Sequence, residues 1–517
     1  MDPMVLREAA RETITSRQLT YRQRLQRLAQ VGEGLLDPPK VSPEADEALA
    51  TGLLCDLHEG PAPYRPRYLL PDYARALRQG SPFLELDPPA DLDDAVAFLS
   101  ILYHHVPSIT GYPSFLGRLD QLLEPFTDGV DDARLHATLT RFWRYLDRAI
   151  PDALAHVNLG PDDGRVARTL LRIDRELGQV APNVTLRWDP DRSGEALLDE
   201  AVRSIVAVNK PHIANEPMIL RDFPADDFPA GYGVVSAYHT LPIGGGAHTL
   251  VRLNLAASVA RHVGDVDDYL DVTLPRHLDL LLEVVAARTR FLVEEVGFYE
   301  HGFLVEEGLI DPGRFTAMAG VHGVAQAVDT LLGGDHLYGV EPDANELGHW
   351  ITSVAAAAVA RTDLPYCVDE RAMLHAQQGT GEDVDVTAGA RIPTGREPDT
   401  ISHILAVAPH HRFYTAGISD IFPVEPSVRD NPSALSDLTR GAFAAGLREI
   451  TFDVEDSELV RITGYMVRRA DAERARTAEV RHDSTRHGAQ VISNGQVLER
   501  ASRVISIETL PFALGRR

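Results

Sequence analysis

A bare glycine interrupts a β-like run near the C-terminus, ELVRITGYMVRRAD, residues 458–471. Val460, Ile462, Thr463, Tyr465, Met466 and Val467 are mostly strand formers, and glycine inside a strand is destabilising. Either the backbone turns at Gly464 or its α-carbon is needed without a side chain. Residues suited to acid–base chemistry gather elsewhere in short stretches. KPHIANEP brings His212 and Asn215 beside a carboxylate, His239 and His248 flank a glycine-rich turn, and APHHRF carries His410 next to His411. RAMLHAQQG sets Arg371, His375 and Gln378 on a helical register, with 371/375 and 375/378 spaced to share a face. His212, Asn215, His239, His375 and His410 are thus candidates to line a polar pocket, against the plainer reading of satisfied core or capping groups. In a strand the pairs His104/His105 and His410/His411 would each face opposite ways, so no metal is expected.

The elements that must position these groups follow from composition and periodicity. The 517 residues carry a net charge of −26, with 44% hydrophobic and 24% charged side chains. That is the make-up of a soluble globular protein, and the acidic balance argues against a partner read through its phosphates. Two cysteines, Cys55 and Cys367, exclude a disulfide framework and any site built from four thiolates. Neither a membrane-spanning run nor a signal peptide is evident, so a cytoplasmic protein is expected. Helical periodicity dominates residues 1–180, as in DLDDAVAFLSILYHHV and LHATLTRFWRYLDRAI. From 183 to 425 strand-like runs alternate with helices: NVTLRWD, then ALLDEAVRSIVAV, then YGVVSAYHTL and HTLVRLNL. A helix and the strand EITFDV open the segment 430–517. Alternating units favour a largely parallel α/β architecture in one large domain, as a closed barrel with much helical elaboration. No P-loop, dinucleotide fingerprint or G-x-S-x-G is present.

The unit from 429 to 469 resembles the glycyl radical domain of the pyruvate formate-lyase superfamily, whose signature is R-V-[ST]-G-Y-x-V-R. Arg461, Ile462, Thr463, Gly464, Tyr465, Met466, Val467 and Arg468 fit it, with isoleucine for valine. Further stretches, among them LCDLHEGPAPYRPRYLLPDYA, ILYHHVPSITGYP, KPHIANEP and APHHRFYTAGISDI, look like the YjjI-type glycine radical enzymes from about residue 35 to the end. The resemblance implies a ten-stranded α/β barrel with two loops meeting inside. It implies a radical stored on Gly464, with Arg461, Thr463 and Tyr465 forming its loop. A Cα radical is shared between the flanking amide nitrogen and carbonyl, and a planar α-carbon is easiest without a Cβ. No bound cofactor is implied. The radical would be installed by an activating partner that uses S-adenosylmethionine and an iron–sulfur cluster. A small-molecule substrate and, by analogy, a homodimer complete the expectation, with neither nucleic acid nor membrane as partner.

The superfamily also needs a cysteine that relays the radical to substrate. YGVVSAYHTLPIGGGAHTLVRLNL, near 231–255, resembles the cysteine-loop region, also by comparison with anaerobic ribonucleotide reductases, and the cysteine position there is Ala237. Alanine has no S–H to give up. Three explanations stay open: a relative that lost hydrogen abstraction, a Cys→Ala variant made inert, or a misplaced loop with Cys55 or Cys367 serving instead. The function expected is a glycyl radical enzyme of lyase or dehydratase type with unknown substrate. The alternatives are a non-catalytic binding protein on the same fold and an ordinary α/β hydrolase or lyase with a His/Glu pocket.

Overall fold

The computed structural model describes all residues except 1–2, 18, 20, 58, 109–112, 150–154, 237, 379–384, 462–465, 477–501 and 503–517. Its strands are β1 (Leu54–Asp56), β2 (Tyr68–Leu70), β3 (Phe115–Arg118), β4 (His156–Leu159), β5 (Asn183–Trp188), β6 (His212–Asn215), β7 (Tyr232–Val235) and β8 (His239–Pro242). They continue with β9 (Gly245–Asn254), β10 (Phe315–His322), β11 (Ala372–Ala376), β12 (Asp420–Val424), β13 (Glu449–Val454), β14 (Leu459–Arg461) and β15 (Met466–Arg468). One sheet has the order β12-β13-β6-β5-β4-β3; in the other β1-β9-β10-β11 lie side by side and β2 also pairs with β9. Neighbours from β3 to β6 are parallel, as are β9 to β11, while β13 runs antiparallel to β6. Parallel neighbours need crossovers, and the helices Arg165–Leu177 and Glu195–Val208 supply them between β4, β5 and β6.

The chain leaving Tyr414 joins the two sheets. Ala416 N–H donates to Leu374 O at 2.9 Å, Ala376 N–H donates to Gly417 O at 3.1 Å, and the strand β12 follows. Gly417 makes this seam possible: its φ is 118°, and a Cβ there would lie 1.9 Å from Tyr238 O. The glycine-rich turn before β9 has a similar cause. A Cβ on Gly245 would meet Arg314 O at 2.1 Å, and one on Gly246 would meet Tyr68 O at 2.0 Å. These glycines let β2 and β10 press against β9.

Parallel strands buried on both faces ordinarily read as continuous apolar runs. Here they alternate. In β5, Val184, Leu186 and Trp188 pack outward into the core while Asn183, Thr185 and Arg187 share the opposite face, and all six are buried. His156 and Asn158 of β4, His212 of β6, and Glu449 and Thr451 of β13 extend that buried polar face by register. Four strands before residue 183 and one after 430 therefore belong to the sheets, so the sheets reach beyond the stretch 183–425.

Two expected elements differ. RAMLHAQQG is strand β11, not a helix: it pairs in parallel with β10, His375 opposite Gly320. Its Ala, Met and Leu suit either state, and tertiary pairing decides. The histidine pairs end helices instead of lying in strands, at Leu92–His104 and Thr400–His411. Among the described residues, no helix is long and apolar enough to cross a membrane.

Candidate functional site

Two hairpins stand on the polar face. The β7–β8 pair places Val235 opposite His239, so residues 236–238 connect them. Asn158 holds β7 as a neighbouring strand would, taking Val234 N–H on Oδ1 and giving Nδ2–H to Val234 O, both at 2.8 Å. Arg118 donates to Tyr232 O at 2.8 Å and Asn183 to Ser236 O at 3.5 Å. Ser236 has φ of 62°, a left-handed conformation sparsely used by residues with a side chain. Ala237 follows it and lies outside the described residues.

The second hairpin pairs Leu459 with Arg468, Val460 with Val467 and Arg461 with Met466. The chain thus reverses between 461 and 466, and a turn alone is one reason for a glycine there. Thr463, Gly464 and Tyr465 lie outside the described residues. Arg461 is fully buried. It donates to His212 Nε2 at 2.6 Å and to Asn209 O. Asn209, itself at φ 57°, gives Nδ2–H to Asp453 Oδ1 at 2.7 Å and to Leu459 O at 2.9 Å. Since Arg461 donates to Nε2, the His212 proton sits on Nδ1, facing Thr451 Oγ1 at 2.6 Å and Glu449 Oε1 at 3.3 Å.

His156 lies between the hairpins. Its Nε2 meets Thr185 Oγ1 at 2.8 Å and its ring stacks near His212 with centroids 6.0 Å apart. Burial pushes its pKa down to about 3, with the Ser236 backbone opposing and the Arg461 and Lys210 charges adding to the fall. Both hairpins therefore act on one imidazole. Burial likewise raises Glu449 to about 8, against the pull of Arg461, Arg391 and Arg448. Burial thus favours the protonated form of this carboxyl, beside His212.

Of the five pocket candidates, the structure brings His239 and His375 together, with ring centroids 4.1 Å apart, and places His212 with the second hairpin. Two are corrected. Asn215 caps the short helix Glu216–Ile219 and donates to Leu447 O at 3.0 Å, on the opposite face from His212. His410 spends Nδ1 on Thr352 Oγ1 and Nε2 on Tyr338 OH, within the helical layer. His248 is also satisfied, by Tyr299 OH and Tyr366 O. Sequence reasoning missed His156, Asn158, Asn183, Asn209 and Glu449. The signal was there, as polar residues alternating with Val, Leu and Ile in HVNL, NVTLRW and EITFDV.

Neither cysteine belongs to these hairpins. Cys55 lies on β1, where its thiol donates to Gly52 O at 3.4 Å. Cys367 is buried near Tyr299, and burial pushes its thiol up to about 12. Among the described residues, only Asp329, Asp335 and His336 approach metal-ligand spacing. The Asp329 carboxylate already accepts the backbone N–H groups of His336, Leu337 and Tyr338, and Arg396 reaches Asp335, so no metal is assigned there.

Comparison with known proteins accords with this geometry. A family model described as glycyl radical enzyme YjjI-like matches residues 19–503. The uncharacterized protein YjjI of Escherichia coli (strain K12) is 46% identical over 506 residues, 97% of each chain. Among solved structures, hydroxyproline dehydratase from Clostridioides difficile, with trans-4-hydroxy-L-proline bound, aligns with TM-score 0.68 at 12% identity, covering 96% of this chain and 88% of that one. A glycyl radical enzyme from Archaeoglobus fulgidus aligns with TM-score 0.64 at 13% identity, covering 89% and 83%. At such identities the structural likeness speaks to the fold, which is the α/β barrel of those enzymes. The chain belongs to the YjjI-like family of glycyl radical enzymes.

Proposed function

We propose that Gly464 stores the organic radical of this enzyme, installed by an activating partner that uses S-adenosylmethionine and an iron–sulfur cluster. The observation that carries this reading is the convergence on His156. Ser236 precedes Ala237 directly and Arg461 stands three residues before Gly464; Arg461 donates to His212, whose ring lies 6.0 Å from that of His156, and Asn183, opposite His156 in register, donates to Ser236 O at 3.5 Å. The described residues flanking the two turns thus meet at one buried polar patch, which supports a radical and a relay acting together. The interior supplies what such chemistry needs, burial from water and fixed hydrogen-bonding groups. Arg461, with Thr463 and Tyr465, positions the radical turn. The substrate is a small molecule, and the enzyme works in the cytoplasm as a homodimer.

Ala237 favours a second reading, a family member that keeps the radical without turnover. Alanine offers no S–H bond to exchange with Gly464 or with substrate. The hydrolase alternative falls with family membership.

Anaerobic reconstitution with the activating enzyme tests the proposal. A glycyl doublet in electron paramagnetic resonance, then cleavage by oxygen releasing a C-terminal piece of about 53 residues (465–517), is expected. No doublet and no cleavage under full activation would overturn it. Ala237→Cys separates the two readings: a doublet that decays on adding substrate only in the cysteine variant means the wild-type chain lacks the relay.

A further inference from the structure

The chain opens with a helical arm, Pro3–Thr15 packed on Tyr21–Glu33, fixed at its base by Glu33 pairing with Arg65 at 3.2 Å. Along the second helix Tyr21, Leu25, Leu28 and Gly32, with Leu35 just beyond it, recur in steps of four and three, the spacing of a coiled-coil seam. A helix packed on its own body turns such a seam inward. This one faces out: Tyr21 is 68%, Leu25 50% and Leu35 68% exposed. Its charge is equally out of character. Between Glu12 and Glu33 lie four arginines and no carboxylate, in a chain of net charge −26. A second surface has the opposite charge around a similar apolar centre. The turn and short helix Val266–Asp268 that lead towards Leu274–Arg290 carry Asp265, Asp267, Asp268 and Asp271, all exposed. His262 Nδ1 meets Thr273 Oγ1 at 2.8 Å, which brings the segments bearing Val263 and Val272 side by side. These valines are 95% and 62% exposed.

We propose that the seam of the N-terminal arm docks on the aspartate-ringed valines of a second copy of this chain, and that the exchange is reciprocal. This names the interface of the homodimer read above and rests on that reading. The tyrosine and leucine side chains cover the valines while the arginines meet the aspartates, so apolar burial and charge agree. Arm and patch belong to one side of the molecule. The segment leaving the arm follows the helix Leu274–Arg290, with Ser42 Oγ on Glu283 Oε2 at 2.9 Å and Glu44 on Arg276 at 2.5 Å, and the patch leads into that same helix. A two-fold axis beside it makes both contacts at once. Within one chain both surfaces stay exposed. Pairing seam with seam is disfavoured, because it sets the arginines of the two copies against each other. An anionic membrane is disfavoured because the acidic body is repelled by it.

Sedimentation velocity on the full-length, unactivated protein tests this. Wild type is expected to be a dimer that dissociates more readily as salt is raised, since the charged contacts are exposed to screening. Leu25→Glu on the arm and Val272→Arg on the patch should each weaken dimerisation roughly 100-fold. Both positions are exposed, so the far-UV circular dichroism should stay as in wild type. Mixed one to one, the two variants should recover a dimer, because the mixed pair keeps one intact arm on one intact patch. Val263→Arg gives a second patch variant if Val272→Arg fails to fold. A Leu25→Glu protein as dimeric as wild type overturns the proposal and leaves the homodimer standing, whereas a wild type that is monomeric at every concentration overturns both. Dimer loss in Leu25→Glu without recovery on mixing overturns the pairing of arm with patch. Wild type that floats with phosphatidylserine vesicles, and ceases to in Leu25→Glu, makes the seam a membrane anchor and overturns it as well. No radical is needed, so the result is independent of whether Gly464 is activated.

Discussion

The two hairpins are built to different standards. β7–β8 is tied along both strands: Asn158 and Arg118 grip β7, Thr240 N–H donates to Ala416 O at 2.9 Å, and Tyr238 OH donates to Ala376 O at 2.8 Å. A Cβ on Gly233 would lie 2.4 Å from the Phe115 ring, so this hairpin is also tightly wedged. β14–β15 has three pairs, and its ties to the polar face are side chains, Arg461 on His212 and Asn209 on Leu459 O. Leu459, Val460, Met466 and Val467 are as buried as the strands of β7–β8, but the pair is one residue shorter, and shorter pairs with fewer backbone ties open at lower free energy. On the proposed reading, a radical turn that must reach an outside activase and return belongs in the second class, and the turn that would relay the radical belongs in the first.

Four experiments break or sharpen this contrast. Gly464→Ala should remove the glycyl doublet altogether while the far-UV circular dichroism stays as in wild type; a surviving doublet would place the radical elsewhere. Next comes Glu449, beneath the β14–β15 anchor. Its folded pKa is raised to about 8 from 4.5, so between those values the folded state holds a proton that the unfolded chain has released. Its contribution to stability is full below pH 4.5 and falls as pH rises towards 8, at up to about 1.4 kcal/mol per pH unit. Glu449→Gln should flatten that part of the urea-denaturation profile, and an unchanged slope would show the carboxyl ionised in the fold.

Arg461→Met should cost about 3 kcal/mol locally, since two charge-assisted hydrogen bonds are lost. Hydrogen exchange of the β14–β15 amides would then quicken roughly 100-fold. The rest of the barrel should be little changed. Asn158→Ala removes two neutral hydrogen bonds from the wedged hairpin and should lower global stability by about 2 kcal/mol in urea, with no selective opening of β7. If both variants opened only their own hairpin, the two would be equally releasable and the contrast would fail.

Much of the site was legible because its signals are local. The runs RITGYMVR and YGVVSAYHTL mark both hairpins, and β13 stands out as EITFDV. His375 was expected on a helix and lies on a strand, because RAMLHA suits either and only pairing with β10 settles it. His410 looked like a pocket residue beside His411. In the fold the helix Thr400–His411 turns it to Tyr338 and Thr352, while His411 meets Asp420. His156 passed unnoticed, within a stretch whose neighbours are helical.

By itself the sequence determined the family, the alternation of strands and helices, the glycine at 464 and the alanine at 237, since each depends on residue type or short-range order. Only the tertiary structure decided which buried polar groups share a face. Contacts such as Arg461 with His212 or His239 with His375 join residues far apart in the chain, and they depend on strand order and register, which local residue preferences do not specify.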